Sequence, residues 1–147
     1  ILIGLVGSEM CIRDRNMISH YKLSEQAFFR GATDNVLDVY NKAAIFAFPS
    51  AYEGFGLALT EAMSAGLPAV GCKSCPAVNE LIKDGENGFL CEEGVDAFAQ
   101  ALEKLMSDEE LREKMGQAAK EDMKQYAPDK IWDMWEKLIE QVAQGKL

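Results

Sequence analysis

Residues 44–71, AIFAFPSAYEGFGLALTEAMSAGLPAVG, decide the fold of this chain. The stretch opens with residues 44–48, an almost fully apolar run that has the length of a strand and stops at Pro49. Such a run is typical of a strand that is covered on both faces, as in a parallel sheet. The first five residues therefore predict a buried strand of a parallel sheet.

The rest of this stretch predicts a loop, a helix and a second strand. Residues 53–56 contain two glycines and form the loop. Residues 57–65 place apolar side chains three and four positions apart, which is the spacing of a helix with one buried side. Gly66 ends that helix, and residues 68–71 are the next short strand.

The same alternation of short strands and helices continues on both sides of this stretch. Short links between alternating elements are typical of a parallel sheet with right-handed crossovers, covered by helices. The sequence therefore predicts an α/β fold with extra C-terminal helices. The further predicted elements are a strand at 26–31, a short helix capped by Asp34, a helix at 77–83, a strand at 89–91, a helix at 95–106, a helix to Tyr126 with Ser107 as N-cap and Glu110 as capping-box partner, and a helix from Pro128 onward.

Length, composition and charge restrict the function classes. The 147 residues suit one domain, and 48% hydrophobic and 27% charged residues suit a soluble chain with a core. The net charge of -9 argues against sequence-independent binding of nucleic acid, which needs clustered Lys and Arg. No apolar run approaches the roughly 20 residues that span a bilayer, and residues 1–7 are too short for a signal peptide.

The four cysteines are Cys11, Cys72, Cys75 and Cys91. The chain is not a small disulfide scaffold, so the expectation is reduced thiols in a cytosol. Cys72 and Cys75 form a CxxC, which has a redox or metal-binding interpretation. The alternative, a pair of small residues at a strand end, is favoured because no second pair accompanies it. We predict no metal site and no cofactor.

Residues 1–15 do not fit the later pattern. They show no sustained period, and LVGSEMCIRDR is similar to a translated sequencing-adapter remnant. The chain also starts without Met, which suggests a fragment. We therefore interpret 1–15 as non-native, 16–127 as the main domain and 128–147 as a separate C-terminal helix.

The loop at 53–56 is the candidate site, because ligands of open parallel sheets bind at the carboxyl ends of the strands. Gly54 and Gly56 flank Phe55, so the backbone there can approach a ligand closely. The start of the following helix carries the positive end of its dipole, which suits a diphosphate.

Glu53 and Glu61 are the two carboxylates of this segment. Glu61 lies about five residues into the helix, hence roughly 7 Å along its axis. The two acids can therefore contact different parts of one ligand, and a carboxylate can accept both hydrogen bonds of a vicinal diol. The alternative is one acid at a helix start and one solvated acid; chemistry alone gives the two interpretations even weight.

The segment resembles the Glu-x7-Glu motif of family 4 retaining glycosyltransferases, within the form PS-x-x-EGFGL-x-x-x-EAM-x-x-G-x-P. Residues 29–31 and 39–44 resemble the strand and helix before this motif, and residues 80–90 resemble a turn after it. The resemblance covers roughly residues 25–140. It implies the C-terminal, Rossmann-like half of a GT-B fold, in which two such domains face each other across a cleft.

The resemblance implies transfer of a sugar from a UDP- or GDP-sugar to an acceptor hydroxyl with retention. It implies that Glu53 is catalytic and contacts the donor sugar, that the backbone of Gly54, Phe55, Gly56 and Leu57 contacts sugar and diphosphate, and that Glu61 holds the ribose. No Asp-x-Asp metal motif is present. A glycan or lipid-linked acceptor would bind through a missing domain, so this part alone would be inactive. The family context implies polysaccharide biosynthesis in the cytoplasm, at the inner membrane face.

Other interpretations remain open at this point. A GT-B relative with another reaction, such as a nucleotide-sugar epimerase or a phosphorylase, and a non-catalytic nucleotide-binding module both fit. Residues 73–80, KSCPAVNE, replace the Gly-Gly-x-x-Glu that family members often carry, which leaves the donor sugar undetermined. His20 is expected to be exposed. Trp132 and Trp135 are expected to pack rather than bind carbohydrate. The GT-B resemblance implies that the last helix crosses to the missing domain, in which case part of its apolar stripe would be exposed in this chain.

Overall fold

The computed structural model describes the backbone of residues 2–3 and 8–146 and the side chains of residues 13–146. It divides into two compact units, residues 1–43 and residues 44–147. The first unit contains β1 (Leu2–Ile3), α1 (Ser8–His20), β2 (Phe28–Phe29) and α2 (Val36–Tyr40). β1 pairs in parallel with β2. β1 and α1 begin within residues 1–15. Their presence does not test the interpretation of that stretch as an artefact, which stays a prediction.

The second unit contains the predicted parallel sheet. Its strands are β3 (Phe46–Phe48), β4 (Ala69–Cys72) and β5 (Gly88–Cys91), in that order, and both pairings are parallel. Its helices are α3 (Leu57–Ser64), α4 (Pro76–Leu81), α5 (Val95–Ser107), α6 (Glu109–Met123) and α7 (Pro128–Ala143), with a 3-10 helix at Lys124–Tyr126 before α7. The α/β class and the flanking helices are therefore confirmed.

β4 is the central strand, and its residues alternate between two hydrophobic clusters. Ala69 packs with the cluster formed by α3, α4 and the end of α6. Val70 packs with the cluster formed with α5 and the start of α6. Because successive side chains of a strand point to opposite faces, β4 is covered on both sides, as the apolar sequence predicts.

Two of the predicted helix caps are wrong by one residue. The N-cap of α2 is Asn35 rather than Asp34, and its side chain accepts from the Asp38 amide. The N-cap of α6 is Asp108, which accepts from the Leu111 amide at 2.9 Å. Ser107 instead ends α5, where its hydroxyl donates to the Glu103 carbonyl. Since both candidates at each site are good N-cap residues, composition could not separate them.

α7 begins at Pro128, as predicted, but none of its residues is buried. Trp132 is 71% exposed and Trp135 is 54% exposed. The expectation that these tryptophans pack is therefore wrong for the described part of the chain. The alternative, an apolar stripe left at the surface, is what the structure shows.

Close contact between α6 and the end of α3 requires Gly116. A Cβ at this position would lie 2.2 Å from the Gly66 carbonyl oxygen and 3.4 Å from Pro68 Cδ. No side chain fits between these backbones, so α6 can pack at this distance only with glycine there.

We expect Gly116→Ala to lower the free energy of unfolding by about 1–3 kcal/mol, because the helices must separate. Helix propensity alone predicts the opposite sign, since alanine is favoured over glycine in a helix. The control is Gln117→Ala at the neighbouring exposed position, which should leave stability almost unchanged. Urea unfolding followed by circular dichroism measures both, and equal midpoints for the two variants would contradict the close packing.

Asn87 is the one polar residue in the buried core of the described chain, and it joins the turn before β5 to α6. Its side chain accepts from the Lys83 amide at 2.8 Å and donates to the Leu81 carbonyl at 3.1 Å. It also donates to Asp122 at 2.9 Å, and Lys83 Nζ donates to the same carboxylate at 2.8 Å. The hydrogen bond from Lys83 is the main cause that lowers the pKa of Asp122. Burial raises this pKa, and the hydrogen bond from Asn87 lowers it further.

A lowered pKa means that Asp122 stabilises the fold above the ordinary value of 3.8 and that this contribution is lost as pH falls through the folded pKa. We expect Asp122→Asn to destabilise the chain at neutral pH by up to about 1 kcal/mol, because the pair is partly solvated. The difference from wild type should shrink as pH falls from neutral through the lowered pKa of Asp122. Urea midpoints across this pH range measure it, with the exposed Glu113→Gln on the same helix as control. A difference that does not depend on pH would refute the electrostatic origin.

Candidate functional site

The loops after the three parallel strands lie at one edge of the sheet, because parallel strands end on the same side. Residues 49–56 follow β3, residues 73–75 follow β4 and residues 92–94 follow β5. This edge is where open α/β sheets bind ligands. All six predicted site residues belong to the first of these loops or to α3 behind it.

Gly56 makes the turn from the loop into α3. It is the N-cap of the helix and has a φ of 85°, in the left-handed region. A Cβ there would meet only ordinary contacts, the nearest being Leu81 Cδ1 at 3.6 Å. The backbone dihedral, rather than lack of space, therefore favours glycine, since a side chain in this region costs roughly 1–2 kcal/mol.

The N-cap Gly56 has no side chain with which to cap the first turn of α3, and that turn contains no acidic residue. The carbonyl of Gly56 accepts the Thr60 amide at 3.0 Å, so regular helical bonding begins at once. The start of the helix, with the positive end of its dipole, thus follows the loop directly. This geometry suits an anionic ligand.

The half-buried Glu53 is oriented by Ser50. The Ser50 hydroxyl lies 2.7 Å from Glu53 Oε1, where it donates a hydrogen bond, and 3.2 Å from the Tyr52 carbonyl. Ser50 comes directly after β3 and Pro49, so the carboxylate is tied to the end of a strand. Ser50 was not among the predicted site residues, although its spacing of three from Glu53 is a recognisable signal.

Glu61 is exposed and lies in the middle of α3. On the same helix Leu59, Ala62 and Met63 are fully buried. The helix therefore holds Glu61 at its surface, on the segment that starts at the Gly56 turn. Glu53 and Glu61 are attached to one continuous loop and helix, on either side of that turn.

Phe55 contacts a residue that is distant in the sequence. Its ring lies edge-on to Tyr126, with centroids 5.3 Å apart and an interplanar angle of 76°. Tyr126 belongs to the 3-10 helix before α7 and packs against the core cluster of α3 and α4. Leu57 on the other side of Gly56 is 69% exposed. No sequence pattern indicated the contact with Tyr126.

The loop after β4 is held by polar contacts. Lys73 Nζ lies 3.0 Å from Glu92, a contact that raises the pKa of Lys73. The Lys73 carbonyl accepts from the Asn79 side chain at 2.7 Å.

Among the described residues no group of three or more His, Cys, Asp or Glu side chains could hold a metal ion. His20 is exposed, as predicted.

A family model, glycosyl transferases group 1, matches residues 2–122. The chain belongs to this family. Over 138 residues the chain is 32% identical to N-acetyl-alpha-D-glucosaminyl L-malate synthase of Bacillus anthracis. This alignment covers 92% of the chain and 35% of that protein.

The chain is also similar to solved structures of other proteins, including the following two. Sucrose-phosphate synthase from Thermosynechococcus elongatus has a TM-score of 0.88 at 23% identity, over 98% of this chain and 38% of that one. The pneumococcal O-GlcNAc transferase GtfA, solved in complex with UDP and GlcNAc, has a TM-score of 0.83 at 26% identity, over 97% of this chain and 29% of that one. The predicted half of a GT-B fold is confirmed. The chain spans about a third of the length of these relatives.

Over the described residues, no helix combines the length and apolar character that crossing a membrane requires.

Proposed function

We propose that this chain is the donor-binding part of a retaining glycosyltransferase of the family 4 type. In the proposed reaction, a sugar passes from a UDP- or GDP-sugar to an acceptor hydroxyl with its anomeric configuration retained. The observation that carries the proposal is the loop and helix from Glu53 to Glu61, built at the carboxyl end of a parallel strand with a left-handed glycine at its turn. The UDP in the complex of GtfA supports a nucleoside diphosphate as the ligand.

Glu53 is the proposed catalytic residue, next to the reacting carbon of the donor sugar. Ser50 fixes its Oε1 at 2.7 Å, so the carboxylate is oriented before the ligand arrives. Preorganised charge stabilises a transition state without the cost of reorganisation. Held in this way, the carboxylate would accept hydrogen bonds from the sugar hydroxyls and face the positive charge that develops at the anomeric carbon.

The backbone of residues 54–57 is the proposed contact surface for the sugar and the diphosphate. Gly54 is exposed, and a Cβ on it would meet nothing within 4 Å, so there is room for a ligand beside the chain. The start of α3 directly follows. Its dipole would stabilise the charge that accumulates on the leaving nucleoside diphosphate.

Glu61 is the proposed ligand of the ribose hydroxyls. Its exposure on the surface of α3 leaves it accessible to a ligand that extends along the helix from the Gly56 turn. A carboxylate that accepts both hydroxyls of a diol forms two charge-assisted hydrogen bonds, and these are stronger than neutral ones.

The acceptor is proposed to bind through a part of the full-length protein that lies outside this chain. The chain spans about a third of its relatives, and α7 carries an apolar face with Trp132, Trp135 and Ile139 exposed. Apolar surface of this kind marks a site of contact with another domain. We infer that α7 crosses to that domain.

The chain by itself is expected to transfer no sugar, because the acceptor is proposed to bind outside it. A coupled assay that detects released UDP or GDP, with UDP- and GDP-sugars and simple alcohol and glycan acceptors, measures this. Release at the rate of the buffer control is the expected result. Transfer that depends on Glu53, shown by its loss in Glu53→Gln, would refute the need for a second domain.

Nucleotide binding is the direct test of the proposed function. We expect calorimetric titration with UDP, GDP and ADP to show binding of one nucleotide. Glu61→Ala should weaken that binding about ten- to hundredfold, because hydrogen bonds to a charged group contribute about 1.5–3 kcal/mol.

The matched control is Glu103→Ala, an exposed acid on α5, which should bind like wild type. Circular dichroism confirms that each variant is folded. A folded wild type that binds none of the three nucleotides, or equal affinity in Glu61→Ala and Glu103→Ala, would contradict the assignment of Glu61.

A further inference from the structure

Cys72 and Cys91 are directly opposite each other at the ends of β4 and β5. Both side chains lie on the face of the sheet that packs against α5, in the same hydrophobic cluster. Neighbouring strands are about 4.8 Å apart, which falls within the Cα separation of roughly 4.4–6.8 Å that disulfides span. The backbone therefore already holds these two cysteines at a distance that a disulfide can bridge.

Several contacts fix the two strand ends in this register. The Lys73 amide donates to the Cys91 carbonyl at 2.9 Å, directly after the cysteine pair. Lys73 Nζ and Glu92 then form an ion pair at 3.0 Å across the same two strands. The Cys91 thiol donates to the Gly71 carbonyl at 3.2 Å. Forming a bond between the thiols thus requires side-chain rotation and no shift of strand register.

Cys75, the other member of the CxxC, lies on the opposite side. It is fully buried and packs with Val78 and Leu81 in the cluster of α3 and α4. Its backbone amide, rather than its thiol, is directed to Cys72, donating to the Cys72 carbonyl at 3.2 Å. The structure therefore pairs Cys72 with a cysteine that is distant in the sequence instead of with its CxxC neighbour.

We propose that Cys72 and Cys91 form a dithiol site that exchanges reversibly with small-molecule disulfides of the glutathione type. The proposal is independent of donor binding. It concerns a modification at the same sheet edge, since the pair directly precedes the loops at 73–75 and 92–94. A disulfide would tie the bases of those two loops together.

The exchange balances in two steps. The Cys72 thiolate attacks one sulfur of the small disulfide, the S–S bond of that molecule breaks, and one small thiolate leaves. The Cys91 thiolate then attacks the Cys72 sulfur of the mixed disulfide and displaces the second small thiolate. Two protein thiols are oxidised to a disulfide and one small disulfide is reduced to two thiols.

The order of these steps follows from accessibility. Cys72 is half-buried and reachable by a small disulfide, whereas Cys91 is 7% exposed. Burial is the main cause that raises the pKa of Cys91, and its neighbour Cys72 adds to it. The first step therefore occurs at Cys72, and the closing step depends on deprotonation of Cys91.

The experiment treats the folded chain with oxidised glutathione, blocks free thiols by alkylation and maps the products by mass spectrometry after trypsin. Cleavage after Lys and Arg places the cysteines on separate peptides: Cys72 on 43–73, Cys75 on 74–83, Cys91 on 84–104 and Cys11 on 1–13. The expected main product is the 43–73 peptide joined to the 84–104 peptide. Because the thiols are adjacent, their effective concentration is on the order of millimolar or higher, so closure should dominate.

Three variants test the assignment. Cys75→Ser should leave the link unchanged, and it is the matched control for a CxxC disulfide. Cys72→Ser, at a half-buried position, should abolish both the link and the glutathione adduct on these peptides. Cys91→Ser should accumulate the mixed disulfide on Cys72; Cys91→Ala replaces it if the buried hydroxyl prevents folding.

The pH dependence adds a second measurement. The rate of closure from the mixed disulfide should rise about tenfold per pH unit below the pKa of Cys91, because only the thiolate attacks. A main link between the 43–73 and 74–83 peptides would overturn the proposal. So would a mixed disulfide in wild type that never closes, or the absence of any reaction at Cys72 in the folded chain.

Discussion

The burial of β4 on both faces is the constraint on which the rest of the second unit depends. Ala69 and Val70 are fully buried in two different clusters, so helices must cover the strand on either side. A strand in this position pairs with parallel neighbours on both edges, and these neighbours end where it ends. The three loops at the carboxyl edge, and hence the candidate site, are a consequence of this burial. The same alternation places Cys72 on the face of Val70, beside Cys91, whereas Cys75 lies beyond the strand at the start of α4.

Much of this arrangement could be predicted from local sequence, because the signals are strong over short distances. The apolar run at 44–48, the glycines at the loop and Gly66 at the helix end fix a strand, a turn and a helix without any tertiary information. The acids Glu53 and Glu61 lie on that same local unit, so the sequence also predicted that they lie on either side of the turn. The errors were also local: Ser107 and Asp108 are both good N-cap residues, and the hydroxyl of Ser107 is satisfied by carbonyls of α5 instead.

What the sequence could not predict are contacts between residues that are far apart along the chain. Phe55 meets Tyr126, Asn87 meets Asp122, and Cys72 meets Cys91 only after the helices have packed. The residue types in these pairs are common, so the sequence does not indicate which residues contact each other. The prediction that the apolar face of α7 packs was wrong for a related reason. Periodicity identifies an apolar stripe but not its partner, and within the described chain the stripe remains exposed.

An acidic chain can hold an anionic ligand if local geometry outweighs net charge. The net charge of -9 repels a diphosphate at long range, but charges beyond about 8 Å are screened at physiological ionic strength. Within that distance the start of α3 offers backbone amides and the dipole's positive end, and its N-cap is a glycine. Glu53 is held by the hydroxyl of Ser50, and Glu61 lies further along the helix. In the proposed donor site, the acids would face the hydroxyl groups of the ligand and the amides would face its phosphates. This separation resolves the apparent conflict between an acidic chain and a negatively charged donor.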